Sequence, residues 1–380
     1  MLALATCCLM TLAMGTLHAW SVFSTDIEAT LGLSRTLSSL VYSLTLVTLT
    51  LTVLLAVPLF SRYKPASLFA ASAIAAGCGI TLASSGSGFP LFIGYSVIFG
   101  IANGTGYGFA LQLSAQVFPH RSGFAMGITT AAYALGATMG AQVLGSLVAA
   151  FGSLATLRLH GISFLVLAPL LAALIHYSKA TYTFSSAKKV SLTISHSLIR
   201  RYRFCYGLAV FAGLMAIAHA ATYINSFDIS SHSIALWGAI VLGLGNALGG
   251  VLAGVASDRF DVRLIITVLP IIAATALGYA AFATNALTAL AALVIIGFTY
   301  GALIAVYPVA IARQFGQTAS ATAYDRVFIA WGVAGLLAPV IAGLIYDASQ
   351  SYRYSMLLAM LLSLGSAAAA YRLRDLPASA

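Results

Sequence analysis

The chain has 380 residues, of which 61% are hydrophobic and only 7% are charged, and its mean hydropathy is +1.00. Because soluble domains carry about a quarter charged residues, this composition excludes a water-soluble globule. The net charge of +10 does not indicate nucleic acid as a partner, since the Lys and Arg residues fall between apolar runs and form no basic stripe.

Apolar segments long enough to cross a bilayer, at about 20 residues each, recur along the whole chain. The first is longer than the apolar part of a signal peptide and lacks an A-x-A-like cleavage site, so it is predicted to be a span. No cytoplasmic lead precedes it, and we therefore expect the true start to lie upstream of Met1. The twelve predicted spans are approximately 1–24, 36–60, 67–86, 90–116, 123–150, 158–177, 202–225, 234–257, 263–283, 287–312, 319–346 and 352–372.

A polar, basic stretch at 178–201 separates residues 1–177 from residues 202–380, and the two parts share an internal repeat. The residue pairs that recur at one constant offset are Gly100 and Gly297, Gly104 and Gly301, Phe118 and Phe315, and Arg62 and Arg259. A repeat of half a chain is typical of duplicated transporters. The predicted fold class is therefore an all-α membrane protein, with twelve transmembrane helices in two bundles of six joined by a cytoplasmic linker.

The basic residues predict the orientation of the spans. If the N-terminus is cytoplasmic, only Arg35, Arg158 and Arg353 of the 18 Lys and Arg residues lie on the outer side. Short loops rich in Lys and Arg stay in the cytoplasm. We therefore expect a multi-pass protein of a bacterial inner membrane or a plasma membrane, with both termini and the linker in the cytoplasm.

No metal site, cofactor or enzyme active site is predicted. The four cysteines lie within or beside apolar runs and have no C-x-x-C spacing. No Ser/His/Asp arrangement and no pair of carboxylates occurs at membrane depth, so catalysis is the least favoured class of function.

Polar side chains inside a span are candidates for substrate binding, because burying them in lipid is costly. The ionisable candidates are His18 in the first predicted span and His219 in the seventh, and any proton coupling would have to use a histidine. A helix–helix hydrogen bond is the alternative role for each. The aromatic and amide candidates, for which packing or lipid contact is the alternative, are Trp20, Asn103, Tyr107, Gln112, Tyr133, Gln142, Tyr223, Asn225, Asn246, Tyr300, Tyr307, Phe328 and Trp331.

Helical spacing groups some of these candidates. Tyr300 and Tyr307 are two turns apart on one predicted helix, and Phe328 and Trp331 are one turn apart on the next. The spacing predicts that each pair shares a face, so that together the four side chains could line one wall of a cavity.

The stretch from Gly254 to Arg263 resembles the G-x-x-x-D-R-x-G-R signature of the major facilitator superfamily, with Asp261 in place of the last glycine. We expect Asp258 to cap the helix that follows. The resemblance implies that such charges form a cytoplasmic gate, whereas an ordinary positive-inside turn is the alternative. The residues that we assign to the gate are Arg121, Asp258, Arg259, Arg263, and the pair Asp325 and Arg326 at the cytoplasmic mouth, in a short polar loop predicted around the start of the eleventh span.

Motifs in both halves resemble one family within that superfamily. They are Trp20-Ser-Val-Phe-Ser with Leu33-Ser-Arg35, Phe118-Pro-His-Arg121-Ser-Gly-Phe-Ala-Met-Gly127, and the series from Tyr300-Gly301 through Trp331-Gly332 to Tyr346-Asp347. In these the chain resembles the oxalate/formate antiporter family and is similar to the related monocarboxylate transporters. The resemblance implies transport of small carboxylates through an aromatic cage, whose positions match His18, Tyr107, Tyr133, Tyr300 and Phe328.

The chain also departs from that family. The oxalate exchanger pairs its dianion with an arginine and a lysine, but the stretch 248–250 has no arginine here and Trp331 stands in place of the lysine. Without a fixed cation, a doubly charged anion would carry a large desolvation penalty in a low-dielectric site. We therefore expect a singly charged or neutral substrate rather than oxalate.

These observations predict a secondary transporter that moves a small, monocarboxylate-like organic anion by alternating access, as a proton symporter or an exchanger. Its expected partners are the lipid bilayer, the small-molecule substrate and protons. A neutral or amphipathic metabolite is the alternative substrate. A non-transporting membrane receptor with the same fold is the alternative function.

Overall fold

The computed structural model describes residues 1–118, 122–182, 195–227, 232–315 and 317–373, and within these ranges the chain is α-helical without a β-strand. The helices are α1 (Leu2–Gly15), α2 (Ser21–Leu31), α3 (Arg35–Leu55), α4 (Val57–Arg62), α5 (Pro65–Ala83), α6 (Gly88–Leu91), α7 (Gly100–Val117), α8 (Ser122–Phe151), α9 (Ser153–Tyr177), α10 (His196–Asn225), α11 (His232–Arg259), α12 (Val262–Ala281), α13 (Ala286–Phe315), α14 (Gln317–Ser349) and α15 (Arg353–Tyr371). A 3-10 turn, Thr16–Ala19, joins α1 to α2, and a π-helical segment, Phe92–Phe99, joins α6 to α7.

Twelve stretches of these described ranges are long and apolar enough to cross a bilayer, which confirms the predicted all-α fold with twelve transmembrane helices. A helix satisfies all its backbone hydrogen bonds internally, so it is the structure that an apolar segment adopts in lipid. The chain divides into two compact units, Met1–Ser185 and Ser186–Ala380, and this boundary falls inside the predicted linker.

The helix ends differ from the predicted spans where polar residues flank an apolar run. The sixth span begins at Ser153 rather than 158, and the seventh begins at His196 rather than 202. The prediction of a polar loop before the eleventh span was wrong, because α14 already begins at Gln317 and carries Asp325 and Arg326. Hydropathy measures how much of a helix lies in lipid, whereas the helix itself continues into the polar surroundings.

Glycines let helices of the C-terminal unit approach closely. A Cβ atom added at Gly249 of α11 would collide with the carbonyl oxygen of Phe298 on α13, and one added at Gly301 of α13 would collide with the carbonyl oxygen of Asn246 on α11. Lipid supplies no hydrophobic force between helices, so association depends on such close packing. The backbones of α11 and α13 are therefore in direct contact.

The repeat-related glycines of the N-terminal unit make the equivalent contact. Gly100 and Gly104 of α7 face Thr48 and Leu49 of α3, again without room for a Cβ atom. In each unit, the fourth span thus packs on the second through glycines at matching positions. The internal repeat read from the sequence corresponds to a repeated packing arrangement.

The turn between α11 and α12 corrects the predicted helix cap. Asp258 lies within α11, and the residue that caps α12 is Asp261, whose Oδ1 accepts a hydrogen bond of 2.9 Å from the Arg263 backbone N–H. An aspartate at the N-cap satisfies a backbone donor that has no partner within the helix. The departure from the glycine of the superfamily signature therefore has a structural use here.

The close approach of α11 and α13 is testable with two glycines on one helix. We expect Gly249→Ala to destabilise the protein by about 1–3 kcal/mol, because the added methyl group must push α13 away. Gly254→Ala is the matched control, since no heavy atom from another part of the described chain lies within 4 Å of its added Cβ. Thermal unfolding of the detergent-solubilised chain measures the difference, and equal unfolding midpoints for the two variants would contradict the packing described.

Candidate functional site

The first span is interrupted where its polar residues lie. The α-helix stops at Gly15, and the 3-10 turn that follows contains Thr16 and His18. The Thr16 hydroxyl donates a hydrogen bond of 2.6 Å to the carbonyl oxygen of Ala13. Hydroxyl groups that bond to nearby carbonyl oxygens compete with regular helical hydrogen bonding, and 3-10 segments within a helix often occur at functional sites.

His18 is held within a group of polar aromatic side chains. Its Nδ1 atom lies 2.6 Å from the hydroxyl of Tyr42 on α3. Its ring meets the ring of Tyr133 on α8 edge to face, with 5.4 Å between the ring centroids. The imidazole is half-buried, so it is ordered by its neighbours and still partly accessible.

The same group extends to α7 through hydrogen bonds. The Tyr133 hydroxyl donates to Asn103 Oδ1 at 3.0 Å, and Asn103 Nδ2 donates to the carbonyl oxygen of Met14 at 2.7 Å. The ring of Tyr107 lies 4.7 Å from that of Tyr133. We call His18, Tyr42, Asn103, Tyr107 and Tyr133 the His18 cluster. Its members offer hydrogen-bond donors and acceptors without a permanent charge.

Sequence reasoning missed Tyr42 and His160. Tyr42 was not among the candidates, although it is a fully buried tyrosine in the middle of a span rich in Ser and Thr. His160 lies near the start of a predicted span and is 6% exposed; its Nε2 atom is 3.1 Å from Thr16 Oγ1. For Tyr42 the available signal was a tyrosine well inside a predicted span, whereas His160 lies too close to the start of its predicted span to stand out.

Trp20 packs apart from the His18 cluster. Its indole is 1% exposed and lies against Tyr95, with 4.7 Å between ring centroids, and against Phe23. Gln112 accepts a hydrogen bond from the hydroxyl of Tyr182, beyond the end of α9. Gln142 and Asn225 are exposed.

In the C-terminal unit, three predicted residues form a second group. The Trp331 indole N–H donates to the Tyr300 hydroxyl at 2.9 Å. Phe328 stacks on Trp331 with 5.3 Å between centroids and 8° between planes. Tyr324 extends the row at 5.7 Å from Phe328. We call Tyr300, Tyr324, Phe328 and Trp331 the Trp331 cluster, which is aromatic and uncharged.

Tyr307 and Asn246 lie in other surroundings. Tyr307 is fully buried and faces Tyr206 of α10 at a centroid distance of 4.6 Å. Asn246 packs against Gly301, in the close contact of α11 with α13.

His219 and Tyr223 bond to neighbouring helices. His219 Nε2 lies 3.0 Å from the carbonyl oxygen of Pro339 on α14, and because a carbonyl can only accept, this nitrogen carries the proton. Its Nδ1 faces the Tyr352 hydroxyl at 3.4 Å, and the Tyr223 hydroxyl donates to the carbonyl oxygen of Ala280 at 2.7 Å. This geometry favours the helix–helix hydrogen bond over a role in substrate binding.

The structure describes the side chains of three predicted gate residues, Arg259, Arg263 and Arg326. Arg263 Nη2 donates to Gln314 Oε1 at 3.0 Å, and the Arg326 carbonyl oxygen accepts from Arg203 Nε at 2.9 Å. Arg259 is exposed at the end of α11. Arg121 and the side chains of Asp258 and Asp325 lie outside the described residues.

A pocket of about 230 Å³ opens beside Arg263, between α12 and α13; its polar lining residues are Asp261, Arg263, Arg313 and Gln314. Arg313 also donates to the carbonyl oxygen of Ser257, so the ends of α11, α12 and α13 are joined here. In the described part of the chain, no three His, Cys, Asp or Glu residues are placed to hold a metal ion.

Comparison with known proteins identifies the family. The family model of the Major Facilitator Superfamily matches residues 2–224 and again residues 202–380. A relative from Escherichia coli (strain K12), the uncharacterized MFS-type transporter YhjX, is 25% identical over 337 residues, which cover 85% of this chain and 83% of that protein.

Solved structures show the same fold. The inward-facing, unoccupied crystal structure of a bacterial homolog to the human lysosomal transporter Spinster superposes with a TM-score of 0.79 at 16% identity, covering 100% of this chain and 98% of that one. An occupied, inward-facing structure of such a homolog gives 0.74 at 15% identity, with 98% of each chain covered.

A substitution at His219 separates packing from substrate binding. We expect His219→Phe to lower the stability of the protein by about 1–3 kcal/mol, because the bond to the Pro339 carbonyl oxygen is lost within a buried site. Thermal unfolding in detergent measures this loss. His18→Phe is the control and is expected to lower the midpoint less, since His18 is half-buried. An unfolding midpoint for His219→Phe at the wild-type value would contradict the packing role.

Proposed function

Because the chain belongs to the major facilitator superfamily, whose members transport small molecules by alternating access, we propose that its substrate is a small monocarboxylate. The mode of transport is proton symport or exchange. The observation that carries the proposal is the His18 cluster, in which an imidazole bonds to the Tyr42 hydroxyl and packs against the ring of Tyr133, beside a buried amide. The protein is a multi-pass membrane protein of twelve spans, consistent with a bacterial inner membrane.

The charge of the His18 cluster supports a singly charged substrate. In the described part of the chain, His18 bonds to the Tyr42 hydroxyl, and Asn103 bonds to the Tyr133 hydroxyl and the Met14 carbonyl oxygen, all of which are neutral groups. One imidazolium would balance one carboxylate, whereas a dianion would keep an uncompensated charge in a low-dielectric site. The cluster is therefore better suited to a monocarboxylate than to oxalate.

His18 also provides a means of coupling to protons. Histidine changes its charge near physiological pH, and no Asp or Glu lies in the middle of a predicted span. A proton on His18 together with a monoanion would cross the membrane as an electrically neutral pair. In exchange transport, the same imidazolium would bind first one monoanion and then the other.

The Trp331 cluster favours a second candidate, which is the transport of a neutral or amphipathic metabolite. Its stacked rings present apolar faces, and its indole N–H is already bonded to Tyr300. Aromatic surfaces of this kind contribute mainly through burial and stacking, which requires no charge on the ligand.

We expect proteoliposomes that contain the protein to show counterflow of labelled lactate, pyruvate or formate, with little counterflow of oxalate. The physical reason is that the His18 cluster has no permanent cation for a second carboxylate. Empty liposomes are the control. Counterflow of oxalate alone would contradict the charge argument, and counterflow of none of the four acids would favour the neutral substrate.

We expect His18→Phe to lower the counterflow of lactate at least tenfold, because the only member of the cluster that can carry a positive charge is removed while ring packing against Tyr133 is kept. Tyr42→Phe keeps its ring and loses only the hydroxyl bonded to His18, so a smaller loss is expected. Initial rates at equal amounts of reconstituted protein measure both effects. Wild-type rates in His18→Phe would show that His18 does not take part in transport.

A further inference from the structure

The 3-10 turn that carries His18 is fixed from outside the first span. Thr16 has one hydroxyl proton, and the 2.6 Å contact shows that it goes to the carbonyl oxygen of Ala13. Toward His160 of α9 the hydroxyl must therefore accept, so that His160 donates from Nε2 across 3.1 Å. A side chain of the sixth span thus bonds directly to the turn in the first.

His160 is itself held in a defined place. It is 6% exposed, and its ring lies 5.3 Å from that of Phe164 and 6.4 Å from that of Phe99. No group of the described chain is within hydrogen-bond distance of its Nδ1 atom. The Nε2–H donated to Thr16 is therefore its one directional contact, and a buried histidine kept at the expense of an unpaired nitrogen needs a role.

The opposite side of the turn is held by backbone contacts with α8. A Cβ atom at Gly15 would collide with the carbonyl oxygen of Tyr133. A Cβ atom added at Gly140 would lie 3.1 Å from the Thr16 methyl carbon. The turn thus contacts α8 on one side and His160 on the other. His18 follows two residues later, between Tyr42 and Tyr133.

We propose that His160 is a positioning residue: its Nε2–H···Thr16 hydrogen bond fixes the 3-10 turn and thereby sets the direction of the His18 imidazole. This inference concerns the orientation of His18 and rests on the proposed function only for its effect on transport. His160 is not proposed to touch the substrate. It acts through the backbone of the first span.

The direct test is nuclear magnetic resonance of the full-length chain in detergent, with histidine labelled at its ring nitrogens. In His160→Phe the contacts with Phe99 and Phe164 are kept and the donor is lost, so the ring-nitrogen resonances of His18 shift. In His160→Gln the side-chain amide supplies a donor near the position of Nε2, so the His18 resonances stay at their wild-type values. Thr16→Val removes the acceptor and shifts them as His160→Phe does; it also serves if His160→Phe does not fold.

Transport of labelled lactate gives the functional readout. Misplacement of a binding group can cost up to about a hundredfold, and for this indirect effect we expect the KM of His160→Phe to rise about tenfold, with His160→Gln within about twofold of wild type. His18 resonances at wild-type values in both His160→Phe and Thr16→Val would overturn the inference. If the wild-type protein moves no lactate, the proposed function fails, while the resonances still decide the role of His160.

Discussion

Hydrocarbon offers no hydrogen-bond partner, and this constraint governs the polar side chains of both units. A buried polar group can therefore find a partner only within the bundle, and the partners that are found fix where helices lie. His219 is bonded to the Pro339 carbonyl oxygen, Tyr223 to that of Ala280, and Asn103 to that of Met14. Polar residues that look functional in sequence therefore divide into those that hold helices together and those that remain available to a solute.

The two units resolve this constraint differently at repeat-related spans. The seventh span is one continuous helix, α10, and its histidine is 2% exposed and bonded on both sides. The first span is broken at Thr16–Ala19, and its histidine is half-buried beside hydroxyl groups. A broken helix frees backbone and side chains from regular bonding, which is why transporter sites occur at such breaks. This asymmetry supports our proposal that the substrate site lies in the N-terminal unit.

Close packing of the helices makes it possible for some polar side chains to bond between helices while others stay available to a solute. Glycines at repeat-related positions bring α7 to α3 and α13 to α11 with no room for a Cβ atom, and Gly15 brings the first span to α8. Helices at this distance have few rotational alternatives, so a side chain placed on one of them faces a defined neighbour. His18, on a turn gripped in this way, keeps its orientation toward Tyr42 and Tyr133.

Much of the fold could be predicted from the sequence, because hydropathy and basic loops are local properties of the chain. The twelve spans and the glycine repeat were visible in this way. The contact that holds the turn at Thr16 was not, because it comes from His160, which is distant in sequence and brought close by packing. The pairing of Trp331 with Tyr300 agrees with the predicted faces, whereas the helix cap was placed on Asp258 because the turn geometry that favours Asp261 is not evident from composition.

Binding of a monocarboxylate by the His18 cluster is tested most directly by ligand-induced stabilisation of the full chain in detergent. A ligand that binds only the folded protein raises its stability by about 2.7 kcal/mol at one hundred times its dissociation constant. We expect lactate, pyruvate or formate to raise the unfolding midpoint of the wild type but not of His18→Phe, and oxalate to raise neither. A midpoint raised most by oxalate, or raised equally in the wild type and His18→Phe, would contradict it.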